Sequence, residues 1–173
     1  LPVRPTTRGP RGAVKLNGTR VPGWTSLEVE TNTFYQADTF RASFAISALP
    51  GSNNAAWFGD QGKIEVEIFA GFPADPSSFT AAELDSLFYG RVDDISMDLV
   101  AGKIEISGRD LTAKFIDTKT TEKYPNNTSS QIATKLAGEQ GLTPVGTATK
   151  TKVGRYFEID KVRLQDDRTQ WDW

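Results

Sequence analysis

The side chains in this sequence whose type and spacing could support catalysis or metal binding are aspartates: Asp93, Asp94 and Asp98 in one stretch, and the pair Asp166 and Asp167 further on. Two carboxylates at a working separation can act as the acid and base of glycoside cleavage. Clustered carboxylate oxygens can also hold calcium. Neither arrangement is supported by the spacing, because no calcium-loop pattern surrounds these residues. Neighbouring aspartates on a strand are expected to face opposite sides, so they read as a solvated strand edge and as charge ahead of a helix.

The remaining routes to chemistry are narrow. The chain contains no histidine and no cysteine, which removes the commonest general base, the commonest metal ligand and any thiolate site. Nucleophile elbows, phosphate-cradling glycine loops and dinucleotide fingerprints are absent, and no serine stands three residues before a lysine. No residue is therefore assigned as catalytic, cofactor-binding or metal-binding, no cofactor is expected, and the chain reads as a non-enzyme.

Aromatic residues supply a second class of function. Phe34, Tyr35, Trp57, Phe58, Phe69, Phe72, Phe88 and Tyr89 could form a sugar-stacking platform, making the chain a carbohydrate-binding β-domain of a virion or secreted protein. In a disulfide-free β-protein such residues more often fill the core and subunit interfaces. The sequons at Asn17 and Asn127 mean little without a secretory signal.

Whatever these residues do, the elements that hold them are mostly strands. A chain of 173 residues with 38% hydrophobic content can bury one good core or two small ones. Its net charge of -2 gives no whole-chain signature of nucleic-acid or membrane binding, and no apolar run is long enough to span a bilayer. The opening residues 1–12 are rich in proline, glycine and arginine and read as an extended arm reaching a neighbouring subunit. From Ala13, Val14 and Leu16 alternate into a hairpin whose Asn17-Gly18 pair suits a type I′ turn, with Val21 on the return.

Further half-buried strands follow: Leu27 and Val29; Phe40, Ala42, Phe44 and Ile46; Ile64, Val66 and Ile68; a strand crossing Val92 and Ile95; and a last one carrying Ile104 and Ile106 after the Ala101-Gly102 turn. About six alternating strands predict an antiparallel sheet curled into a barrel or sandwich. Gly108 is expected to end the last strand, with Arg109–Asp117 leaving the barrel in a helical spacing that tucks Leu111, Phe115 and Ile116 against its end. Between strands, residues 73–88 form an excursion in which Thr80 and Glu83 can make a capping box.

Beyond Asp117 the character changes. A helix over 128–142 is bounded by Thr128 with Gln131 at its start and Gly141 with Pro144 at its end, and its apolar stripe is Ile132, Ala133 and Leu136. A hairpin over 143–150 and 154–164 is expected next, then a helix beginning at Thr169 with Trp171 as its first buried residue. The chain opens on Leu1 and ends as that helix starts, so the intact protein is expected to continue past Trp173.

Four blocks in order and spacing, 14–46, 90–117, 126–144 and 156–173, resemble the baseplate hub proteins of phage tails, the group of late control protein D and its relatives in Mu-like phages. The resemblance covers almost everything from Ala13 and is most specific over 106–117 and 128–143. It implies a mainly β fold with an α+β second part: an antiparallel β-barrel of the tail-tube/hub type over 13–117, and over 118–173 the start of a small helix-containing domain. It also implies a structural adaptor related to type VI secretion spike hubs, a homotrimer joining a sixfold tail tube to a threefold spike. Implied neighbours are a tail tube or distal tail protein, a central spike protein and a tape measure protein. DNA would pass the lumen without specific binding, and nothing would insert in a membrane. The expected location is the baseplate of a virion tail assembled in the bacterial host cytoplasm. Glu28, Glu30, Glu65 and Glu67 are then expected on the wall facing the lumen, repelling DNA.

Overall fold

The computed structural model describes residues 9–122, 124–153 and 169–172. Among these the chain falls into two compact units, one within Leu1–Thr33 and Ala37–Leu111, the other within Phe34–Gln36 and Thr112–Trp173.

The first unit is one antiparallel sheet of seven strands in the order β2-β1-β5-β6-β7-β4-β3. The strands are β1 (Arg11–Leu16), β2 (Thr19–Arg20), β3 (Trp24–Glu30), β4 (Thr39–Ala45), β5 (Glu65–Gly71), β6 (Asp85–Asp98) and β7 (Lys103–Asp110). Alternation decides which face is dry: Val14, Leu16, Phe40, Phe44, Val66, Ile68, Ile104 and Ile106 are all buried in one cluster, and Trp24, Leu27 and Val29 of β3 pack against it. Strands from both ends of the sheet thus share a core, which only a curled sheet permits. The result is an antiparallel β-barrel, open along a seam where side chains meet but no ladder forms among the described residues. A Cβ on Gly12 of β1 would lie 3.3 Å from Trp24 and 3.4 Å from Leu27 of β3.

The expected hairpin is present. Asn17 and Gly18 take φ of 49° and 78°, and the Asn17 side chain extends the β1–β5 ladder by accepting from the Glu65 N–H at 2.8 Å. Asn17→Ala is expected to destabilise by about 1–2 kcal/mol, since it loses that bond and forces alanine into the left-handed region. Asn17→Gly should cost less, and urea midpoints compare the two.

Residues 55–58, a short apolar stretch to which the sequence assigns no element, start helix α1 (Ala55–Asp60), whose first turn is capped by Asn54 Oδ1 accepting from the Trp57 N–H at 3.0 Å. Gly108 does not end β7, which runs on to Asp110. Opposite it, β6 carries a bulge between Val92 and Asp94, so the glycine serves a close approach to the Arg91 carbonyl and not a break.

The excursion, expected over 73–88, ends earlier because β6 already starts at Asp85, and it folds back on the outer face of the barrel. Thr80 and Glu83 form the capping box around a short 3-10 turn, Ala81–Glu83. Phe79, Ala81 and Leu84 cover Ala13 and Phe69, while Lys15 and Arg20 stand 4.5 Å and 4.9 Å over the Phe69 and Phe79 rings.

The second unit holds helices α2 (Ala113–Asp117) and α3 (Ser129–Glu139). α3 has both ends specified: the Thr128–Gln131 capping box starts it, and Gly141 at φ 68° ends it, with the Leu142 N–H donating to the Ala137 carbonyl at 2.8 Å. Ile132 and Leu136 are buried with Tyr124, and Phe115 packs on that same cluster. Ala133, expected in the stripe, is exposed. Residues 143–150 run without strand pairing, and the partner segment 154–164 lies outside the described residues. At Thr169 a 3-10 turn, Gln170–Asp172, replaces the expected helix start, with the Thr169 hydroxyl and N–H donating to the Asp172 carboxylate at 3.0 Å and 2.8 Å. Its buried residue is Gln170, held by Gln140 and Glu139, whereas Trp171 is exposed.

Candidate assembly surface

The aspartates do not converge. Asp93 occupies the bulge and pairs with Arg109, whose Nε donates to it at 2.8 Å. Asp98 Oδ1 accepts from the Val100 and Ala101 N–H groups at 3.0 Å and 2.8 Å, fixing the β6–β7 turn. Asp94 is exposed on β6, and Asp166 and Asp167 lie outside the described residues. No group of three or more potential metal ligands forms among the described residues. The bulge also upsets the alternation by which Asp93 and Asp94 were assigned to opposite faces: the inward set shifts from Phe88 and Val92 to Ile95.

The aromatics divide. Phe58 and Phe88 are in the core, each tilted against a neighbour, Phe44 at 5.8 Å and Phe40 at 4.9 Å. Trp57 packs edge-on to Phe58 at 5.0 Å, and Phe69 is covered by the excursion. Exposed aromatics remain: Phe72 and Tyr89 in the first unit, Phe34 and Tyr35 in the second. The Tyr89 hydroxyl donates to Glu65 at 3.1 Å, and partial burial together with that carboxylate raises its pKa.

The outer face of the sheet is polar and largely self-neutralised. Glu67 pairs with Lys15 at 3.6 Å, Glu65 with Lys63 at 3.5 Å, and Glu105 with both Lys103 and Arg41 at 2.7 Å and 3.4 Å. The hydrogen bond from Lys103 holds the Glu105 carboxyl below its usual range. Glu28 and Glu30 stand apart. Both border a groove of about 370 Å³ with Thr39, Arg41, Asp93 and Arg109, yet neither is in an ion pair among the described residues.

Besides these aromatics, the first unit leaves strand edge and an apolar tip exposed among the described residues. The outer edge of β3 has no strand beside it among the described residues. β5 accompanies β6 only as far as Arg91, with one more bond from the Val92 N–H to the Ile64 carbonyl at 3.0 Å, so beyond that β6 is paired on its β7 side alone. At the end of this free length sit Met97, Leu99 and Val100, the last two 72% and 101% exposed. Consecutive apolar residues on a rigid turn are a liability unless a partner covers them. Sequence reasoning passed over this tip; its signal was "MDLVAG", in which apolar residues fill a turn that solvent would normally claim.

The sequence matches no protein-family model and no curated protein. The fold is similar to that of two solved tail proteins. The 43 kDa tail protein of prophage MuSo2 from Shewanella oneidensis aligns over 95% of this chain with a TM-score of 0.62 at 18% identity. The tail protein from Neisseria meningitidis MC58 aligns over 95% with a TM-score of 0.61 at 16% identity. This chain spans 46% and 44% of their respective lengths.

Proposed function

We propose that the chain is part of a structural, non-enzymatic subunit of a phage tail or tail-like particle: the first barrel and following small domain of a baseplate hub. The observation that carries this reading is the shared fold. It extends over 95% of the chain, through both units, in two proteins named for tails. In this reading three subunits form the hub, each contributing this barrel and a second one outside the chain, so that the ring joins a sixfold tube to a threefold spike. The free length of β6 and its apolar tip suit such a role, because unpaired edges and exposed apolar turns are what neighbouring subunits cover. Tail tube or distal tail protein, spike and tape measure protein are the proposed neighbours, and the virion tail is the proposed location.

Light scattering on the full subunit tests this. A trimer is expected, and Leu99→Asp with Val100→Asp should leave stability within about 0.5 kcal/mol while weakening assembly onto the tube. A monomer retained on a polysaccharide column would overturn the reading in favour of carbohydrate binding.

A further inference from the structure

The first unit presents its free strand edges with one sign of charge. β3 has no strand beside its outer edge among the described residues, and on it Glu28 and Glu30 are exposed and in no ion pair. The arginines that share their groove are committed elsewhere, Arg41 to Glu105 and Arg109 to Asp93. The free length of β6 carries Asp94 and Asp98. Like charges set directly opposite destabilise a strand pair. When two copies meet, these edges therefore repel each other and themselves. At its other end the sheet stops at β2, two residues long, whose Arg20 is held over the Phe79 ring.

The second unit carries the complement. Residues 143–150 are exposed and run without strand pairing, and Lys150 and Lys152 are exposed and in no ion pair among the described residues. No acid stands between Leu142 and Val153. The lysines are held at the start of α3: the Thr149 N–H donates to the Ser130 hydroxyl at 3.0 Å, and the Val153 N–H to the Asn127 carbonyl at 3.0 Å. Of the arm expected over 1–12 to reach a neighbouring subunit, residues 1–8 lie outside the described residues, and Lys150 and Lys152 supply a described basic group that can do so.

We propose that the outer edge of β3 is a docking surface for a second copy of this chain, taken by that copy's residues 147–152 with Lys150 and Lys152 set against Glu28 and Glu30. The contact is heterologous, acidic edge to basic run, so each copy offers one half to each of two neighbours, as a closed ring requires. It rests on the self-association proposed above and names the surfaces that meet. The β6 edge and its apolar tip are left for other partners.

Charge exchange on the full subunit tests this, read by light scattering across a dilution series. Glu28→Lys with Glu30→Lys should weaken self-association about tenfold, Lys150→Glu with Lys152→Glu likewise, and all four together should restore it to within about threefold. A trimer unmoved by either reversal, or weakened by both and not restored by their combination, overturns this contact and leaves the hub reading standing; a monomer throughout overturns both. The chain has no cysteine, so introduced thiols give a second readout. Glu30→Cys subunits oxidised with Lys150→Cys subunits should form a covalent dimer of one of each far faster than with Ser52→Cys subunits, and no difference would count against the contact. In the double variant Glu30→Cys with Lys150→Cys, closure within one chain at low concentration would hand the lysines to their own barrel and overturn the proposal.

Discussion

Gly108→Ala is expected to remove at least about 3 kcal/mol of stability, the range reached when a buried site must accept an atom for which no space exists. A Cβ there would stand 1.9 Å from the Arg91 carbonyl oxygen and 2.9 Å from the Asp93 nitrogen, both main-chain atoms that cannot swing aside as a side-chain end would. These atoms are that close because the β6 bulge sets two residues against one on β7. Relief requires straightening the bulge, and that would move every later residue of β6 by one position, turning Ile95 away from the core. The variant should therefore lose cooperativity as well as midpoint in urea unfolding. Gly90→Ala should behave alike, its Cβ meeting the Arg109 carbonyl at 2.3 Å. Gly138→Ala is the control: it has nothing within 4 Å and lies inside α3, where alanine is favoured by about 1 kcal/mol. Equal stability of Gly108→Ala and the parent would show that the bulge is not required.

The same bulge explains where the sequence was legible and where it was not. Period-two patterns located β1, β4, β5 and β7 because each keeps one face in the core for its whole length, as Phe40, Ala42 and Phe44 do. Helix α3 was legible at both ends because its stop signals are local: a threonine hydroxyl, a glutamine three residues later and a glycine at positive φ. Gly108 misled because glycine carries two meanings in a strand, a stop and a close approach, and the cause of the second, the Arg91 carbonyl, sits on β6 seventeen residues earlier in the chain. Phe115 shows the same dependence on distant residues. Helical spacing says that it will be buried, but only the position of Tyr124, Ile132 and Leu136 says where. The exposed tip at Leu99 and Val100 was legible only as apolar residues in a turn position, because composition alone does not tell an exposed apolar pair from core.

Phe58→Ala is expected to cost about 3–5 kcal/mol, the usual price of emptying a large aromatic site in a core. Phe58 is 1% exposed, contributed by a helix of six residues that has no stability of its own and is held by what it buries. Its ring lies against Phe44 of β4 and Trp57, and it belongs to the same buried cluster as Leu16, Ile64 and Ile104. Because the seam between β1 and β3 is joined by side chains and not by a ladder, loss of packing is not backed up by main-chain bonds there. Opening should start at that seam. Hydrogen exchange would then rise first in β3, whose outer edge is unpaired among the described residues, and later in β4 and β7, each bonded on both sides over most of its length. Uniform loss of protection across all strands would argue instead that the barrel opens as one unit.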